Sequence, residues 1–580
     1  MAITEEENHV PNPNIGDAEE DDYEDVEDDE DEEDDLQDQR TPQSEESRLS
    51  QQRFKLENLF QRLSSERVPL RVHDVVIKGN TKTKDWVIEA EMEGIKSATT
   101  MQELLQAASV ANAKLQGLEI FDSVNITLDS GPPELPGTAN VIIEVSETER
   151  KLSGEFGVYT KPTGLHLEEV AGSQLLGIGL IWQMRDHGSR LIGDIMSIRD
   201  FRLSSPISSI SPYLGSCQTM TSSWTVEGAL KYKNGLGYGD IWNGSLAYGP
   251  NQTSEMSVGV FVPHFKGWLT PVVARVFMFS QDWQEFSSYK ERLVGTSLGL
   301  FSTEHHDLAY TLGWRILTDP LQISSISIRR QLGHGLLSSL KYTFKLDMRN
   351  SPDRPTKGYA FLSSTQLAGL TPGDRSLRFL RQEFDFRFAI PFGFYHAALN
   401  FGISAGVIFP WGPGFLNKPS PLPDRFFLGG DFSPVCTLGG PTTLWGFRTR
   451  GLGPAEPRRE IRGGDGDDNA DPSRRDYIGG DLSVTAFGDL SFDLPIKWLR
   501  ERGIHGHVFA GAGNIAKLTE NEYRHFSHRK FLESFRTSMG CGIVIPTKLF
   551  RLEGNFYYIL RRHENDRGKT GFRFSFSAPS

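Results

Sequence analysis

The stretch Leu340-Lys-Tyr-Thr-Phe-Lys-Leu-Asp-Met-Arg349 decides the fold. Leu340, Tyr342, Phe344, Leu346 and Met348 alternate with Lys341, Thr343, Lys345, Asp347 and Arg349. A period of two marks a strand, because successive side chains leave opposite faces. One face here is apolar throughout and the other polar or charged. The same texture returns at Phe384, Phe386 and Phe388, set between Asp385 and Arg387. It returns again at Phe572, Phe574 and Phe576, which alternate with Arg573, Ser575 and Ser577. From Leu152 onward such segments recur between Gly, Pro, Asn and Asp turns. A soluble sandwich alternates too, but seldom sets Phe against Lys and Arg at this strength. A lipid-facing exterior and a water-filled interior fit better, which predicts a mostly β, transmembrane antiparallel barrel. Residues 152–580 have room for about sixteen strands at the ~10 residues each that crossing requires.

Composition removes other classes. The chain has 580 residues, with 58 Gly, 37 Phe and 3 Cys. No apolar run approaches the roughly 18 residues of a spanning helix; one of the longest is Leu175 to Trp182. The formal charge of −15 is local: 16 acidic residues and no Lys or Arg lie between Asp17 and Asp35. The remainder is nearly neutral and offers no broad basic surface for nucleic acid. Cys217, Cys436 and Cys541 have neither metal nor redox spacing. The opening MAITEEENHV has the marks of neither a signal peptide nor an Arg-rich transit helix, so synthesis in the cytosol is expected.

Residues 1–46 read as a disordered acidic tail, where like charges repel and little apolar surface offsets ordering entropy. Residues 47–66 read as a short amphipathic helix with Leu56, Leu59, Phe60 and Leu63 on one face. Residues 67–150 read as a compact β-α-α-β-β unit. It starts at Val72-His-Asp-Val-Val-Ile-Lys-Gly79 and has helical spacing at Met101, Leu104, Leu105, Ala108, Leu115 and Leu118. Residues 163–221 lack clean alternation and read as an insertion. Thr160-Lys161-Pro162 would join naturally to Ser223-Trp224.

Two resemblances follow from motifs. The order β-α-α-β-β with V-x-I-x-G-N-x-x-T at Val75 to Thr83 resembles a POTRA domain, a module that passes extended segments along by sheet-edge pairing. Asp347-x-Arg349-Asn350 with Pro355-x-x-Gly358 resembles the strand-to-turn element of the BamA-like outer-membrane β-barrel assembly superfamily. Arg425-Phe-Phe-Leu-Gly-Gly430 resembles that family's R-F-F/Y-L-G-G strand. Leu444-Trp445-Gly446-Phe447 resembles its R-G-F loop tip. Ile478-Gly-Gly-Asp481 and Phe509-Ala-Gly511-Ala-Gly513-Asn514 resemble its G-G and F-x-D/N-x-G strands. Five motifs in order, over 67–162 and 223–580, with a single POTRA domain, resemble most the barrel subunit of the mitochondrial sorting and assembly machinery. This likeness implies a loop at about 441–476 folded into the barrel and docked on the Phe509–Gly513 strand. The family's loop Arg is Trp445 here, and its acidic or amide partner is Gly511. Loss of both implies apolar docking.

The resemblance also implies the function. Such a protein works as an insertase of the mitochondrial outer membrane, with no chemistry and no cofactor. Its expected partners are unfolded β-barrel precursors, accessory subunits and the lipid bilayer. The lateral gate is expected between the first strand (Gly154, Phe156, Gly157) and the last (Gly571, Phe572, Phe574, Phe576). A plastid outer-envelope relative, as insertase or channel, is an alternative, and a plain porin is a reading from another class. Lys569-x-Gly571-x-x-Phe574-x-Phe576 resembles the client signal these machines read. Gly402-Ile-Ser404-Ala-Gly406 matches the hydrolase elbow but sits in an alternating stretch, against hydrolysis. His305-His306 and His525 to His528 read as loop residues rather than metal ligands. Arg448, Arg450, Arg458, Arg459 and Arg462 are expected to line the lumen and pair with acids.

Overall fold

The computed structural model describes residues 69–577 except 150, 162–181, 184–222, 250–253, 265–269, 304, 431–432, 437, 460–474 and 548–550. The expected acidic tail, amphipathic helix and nearly all of the 163–221 insertion lie outside the described residues. Pro69 to Ser580 cluster as one compact unit.

At the front, β1 (Arg71–Lys78) is followed by three helices: α1 (Asp85–Ala90), α2 (Glu93–Lys96) and α3 (Met101–Gly117). Two strands complete it: β2 (Phe121–Ser130) and β3 (Thr138–Glu147). The sheet order is β1-β3-β2, with β1 parallel and β2 antiparallel to β3. A reciprocal cap starts α3: Thr100 Oγ1 accepts from Glu103 N, and Glu103 accepts from Thr99 N. Helical spacing then turns Leu104, Ala111 and Leu115 onto Val141, Ile143 and Val145 of β3.

Glu147 closes this unit. It accepts from the backbone N–H groups of Thr81, Lys82 and Thr83 at 3.1, 2.9 and 2.7 Å. Burial raises its pKa, but these hydrogen bonds outweigh burial and hold it at about 2. The folded value is depressed, so the stabilisation is complete above the unfolded value near 4.5 and lost as pH falls toward 2. Glu147→Gln should therefore speed hydrogen exchange of residues 81–83 at pH 7, with the difference from wild type shrinking as pH falls from 4.5 toward about 2.

Among the described residues, sixteen long strands and the two-residue Trp182–Gln183 segment form the closed barrel. The first five are β4 (Leu152–Lys161), β5 (Ser223–Lys233), β6 (Ile241–Tyr248), β7 (Ser254–Val262) and β8 (Val272–Asp282). Next come β9 (Lys290–Thr303), β10 (His306–Thr318), β11 (Gly333–Asp347), β12 (Gly358–Ala368), β13 (Phe379–Pro391) and β14 (Ala398–Pro410). The last five are β15 (Leu482–Asp493), β16 (His505–Ala516), β17 (Arg536–Pro546), β18 (Arg551–Arg561) and β19 (Gly571–Ser577). Lys161 pairs with Ser223, so the strands flanking 163–221 are direct neighbours. Trp182–Gln183 pairs with Phe156 and Glu155 of β4.

Alternation sorts the two surfaces. On β13, Leu380, Phe384, Phe386, Phe388 and Ile390 are exposed to the outside. Asp385 and Arg387 point inward and pair at 2.7 Å. Gly402–Gly406 lies inside β14, so Ser404 is a lumen residue that donates to Asp385 and not a nucleophile on an elbow. The β5–β6 turn docks on the front unit. Asn234 Nδ2 donates to Thr83 Oγ1 at 2.8 Å and Lys84 N to Gly237 O at 3.0 Å, and from the β7–β8 turn His264 meets Glu91 at 2.6 Å. The front unit thus marks one end of the barrel, and every second turn lies at that end.

Candidate functional site: an inward loop and the last strand

Between β14 and β15 the chain folds back into the lumen. Its apolar residues Phe426, Leu428, Leu444, Phe447 and Leu452 join inward-facing Phe277, Leu293, Phe379 and Ile515 of the wall. Trp445 is 1% exposed. Its ring centroid lies 4.3 Å from that of Phe509 and meets Phe487 edge-on at 5.8 Å. A Cβ at Gly511 would lie 3.3 Å from Leu444 Cδ1 and 3.5 Å from Trp445 Cε3. At Gly513 it would lie 3.3 Å from Leu444 Cδ2. The loop tip and the Phe509–Gly513 segment are thus in contact, through rings and aliphatic carbons.

Polar anchors hold the rest of the loop, and sequence reasoning missed them. Arg315 of β10 binds Asp424 at 2.6 and 3.2 Å and Glu291 at 3.0 Å, all three buried. Arg425 donates to Ser420 Oγ at 2.9 Å and to Ile478 O at 3.1 Å. Asp481 accepts from Leu518 N, Thr519 N and Thr519 Oγ1 at 2.8–2.9 Å. The Arg425–Gly430 segment is not the strand that the motif suggested: its described bridge is Phe426 with Gly480. Gly429 and Gly430 have φ of 118° and 137°, which breaks an extended run. Arg458 pairs with Asp476 at 2.8 Å as expected of the loop arginines. Arg450 departs from that expectation. Its guanidinium lies 3.3 Å from the Trp283 ring centre and 3.9 Å from that of Phe427, and it donates to Tyr289 Oη.

The strand-turn motif reaches the loop from the opposite end. Arg349 grips Asp347 at 2.7 and 2.9 Å and donates to Val435 O of the loop at 2.9 Å. Asn350 Oδ1 closes the turn on Thr356 N and Lys357 N at 2.9 and 3.1 Å, next to Pro355. Gly358 has φ of 108°, and a Cβ there would lie 2.2 Å from Met348 O. No other residue fits that approach.

The loop tip also pairs with the turn that leads into the last strand. Phe447 bridges Gly568, Arg448 N donates to Arg567 O at 2.8 Å, and Arg567 N to Gly451 O at 2.8 Å. Lys569 N donates to Gly446 O at 3.1 Å. A Cβ at Gly568 would sit 2.6 Å from Ile559 Cδ1 and 2.9 Å from Phe447 Cδ1. Gly568→Val should break this short ladder, lower stability by about 1–3 kcal/mol through overpacking, and speed hydrogen exchange along β19. Unchanged exchange in β19 would show that the ladder does not restrain it.

Gly154, Phe156 and Gly157 lie on β4, and Gly571, Phe572, Phe574 and Phe576 on β19, its neighbour in the closed order. The described part of β19 covers seven residues, Gly571–Ser577. Phe572 and Phe574 are exposed on the outer face.

Residues 234–578 match the model of the Omp85 superfamily domain. The chain is 25% identical over 515 residues to the sorting and assembly machinery component 50 homolog of Mus musculus, covering 87% of this chain and 89% of that protein. It is 29% identical over 352 residues to a SAM50-like protein of Schizosaccharomyces pombe, covering 59% and 66%. Among solved structures it resembles BamA from Haemophilus ducreyi lacking POTRA domains 1–3, with TM-score 0.61 and 15% identity over 88% of this chain and 84% of that one. The chain therefore belongs to the Omp85 superfamily, alongside its sorting and assembly machinery members, and is a β-barrel of the mitochondrial outer membrane.

Proposed function

We propose that this chain folds β-barrel precursors into the mitochondrial outer membrane through a lateral gate between β4 and β19. The problem it solves is physical. A lone strand in lipid leaves each backbone N–H and C=O unpaired, at several kcal/mol per group. An insertase avoids that by opening its own seam and offering the two free edges as templates. The observation that carries this reading is β19 itself: it opens on Gly571, at φ of 146°, beside β4, which carries Gly154 and Gly157, and glycines weaken pairing at such a seam. The approach to β19 is held by the loop tip. The front unit, read as one POTRA domain, supplies open edges at β1 and β2 for precursors arriving at that end. Accessory subunits would complete the machine, as the names of the relatives suggest. The work rests on backbone pairing, and no catalytic side chain enters it.

Site-directed crosslinking tests this. A radiolabelled barrel precursor with one Cys in its last strand is presented to chains carrying one Cys at each position of 154–160. Oxidation should give register-specific adducts at these positions and none from controls in 358–368. Equal adducts from both strands would reject the gate.

A further inference from the structure

Two turns at the front-unit end carry an exposed apolar and basic surface that the barrel does not need. The β13–β14 turn reads Pro391-Phe-Gly-Phe-Tyr-His-Ala397. Ala397 N donates to Phe394 O at 2.9 Å, and the two central residues, Tyr395 and His396, both have positive φ, 48° and 44°. Both residues sit in the left-handed region, where Asn and Gly are the unstrained choices. Tyr and His bear the steric penalty of the left-handed region instead. Phe394 and Tyr395 are 61% and 62% exposed, so packing does not repay it. The β15–β16 turn lies beside it, joined through Asp493 N to Tyr395 O at 2.9 Å. It holds α4 (Lys497–Glu501) and exposes Ile496 and Trp498 by 57% and 54%.

We propose that these turns, Phe392–His396 and Ile496–Arg502, form an anchor for anionic phospholipid head groups in the leaflet on the front-unit side. Two observations select lipid. First, the apolar surface is continuous with the lipid-facing rows: Phe384, Phe386, Phe388 and Ile390 of β13 run on into Phe392 and Phe394, which remain exposed past the end of the strand. Second, Lys497, Arg500 and Arg502 carry three positive charges against the one negative charge of Glu501, all exposed. Among the described residues none of the three cations forms an ion pair. Arg502 lies 4.4 Å from the Trp498 ring centre, which sets a guanidinium at the level of the indole. Aromatic rings at the acyl boundary with cations just beyond them match the interfacial layer of a bilayer. Arg354, nearby, is already held by Asp493 at 2.6 Å and by His396 O, so it does not contribute.

The test uses the full chain refolded into phosphatidylcholine vesicles doped with spin-labelled phosphatidylglycerol or spin-labelled phosphatidylcholine. Electron spin resonance then gives the relative association of each lipid with the protein. Wild type should prefer the anionic label, on the order of fivefold for each cation that contributes at low salt. About 0.5 M salt should erase most of that preference, a result that needs no variant. The K497A/R500A/R502A variant should bring the ratio to about one while keeping heat-modifiable migration. Tyr395→Asn with His396→Gly should raise the melting temperature, because the turn becomes unstrained, and still lower lipid retention. Wild type without anionic preference, or a triple variant that keeps it, overturns the proposal. Loss of an accessory subunit from the triple variant, with lipid preference unchanged, would overturn it in favour of a protein interface.

Discussion

Replacing Trp445 by Arg should destabilise the folded barrel by about 3–5 kcal/mol. The indole is packed against Phe509 at 4.3 Å and Phe487 at 5.8 Å, and the strand beneath it presents Gly511 and Gly513. An arginine would lose that ring packing and put a buried charge over a glycine with no acceptor side chain. It would also enter a small cavity already lined by Arg387. Thermal loss of heat-modifiable migration measures the effect. Adding Gly511→Asp should recover part of the loss, because a carboxylate there lies within reach of residue 445; a coupling of about 1–3 kcal/mol is expected. A higher melting temperature for Trp445→Arg alone would mean that the docking is not apolar.

Arg315→Met should have a comparable effect by a different route. Arg315 stands between Glu291 and Asp424, and all three side chains are less than 10% exposed. Removing the cation strips two buried carboxylates of the guanidinium they share, which costs about 3–5 kcal/mol. The loop should then lift at its Asp424 end. Maleimide labelling of Cys436, half-buried farther along the same loop, should accelerate alongside the drop in melting temperature. The neutral triple variant Arg315→Met, Glu291→Gln, Asp424→Asn should regain most of the stability, since paired removal of buried charges is far less damaging than removal of one partner. If Arg315→Met melts like wild type, the ion triad does not anchor the loop.

These two sites differ in how far they were legible. The barrel could be read from Leu340–Arg349 because lipid outside and water inside impose a period of two that survives any turn chemistry. The Trp445 and Gly511 substitutions were legible as a pair because their motifs locate them. The ion triad was not, since Arg315 and Asp424 are 109 positions apart and nothing local announces their meeting. Arg450 was misread because its partners are rings, Trp283 and Phe427, rather than acids. The Arg425–Gly430 motif suggested a strand, yet its glycines at positive φ turn it through the lumen. The ladder between Phe447 and Gly568 left no trace at all, because backbone pairing has no side-chain signature.

The most direct measurement of the central claim locks the seam. In a chain with Cys217, Cys436 and Cys541 replaced by Ser, one Cys is placed in 154–160 and one in 571–577, and the protein is reconstituted in liposomes. Folding of a radiolabelled porin precursor is scored as protease-protected, heat-modifiable product, with the disulfide formed and then reduced. Insertion through the seam predicts loss of product in the oxidised protein and recovery on reduction. Equal folding in both states, with ion conductance unchanged, would contradict it.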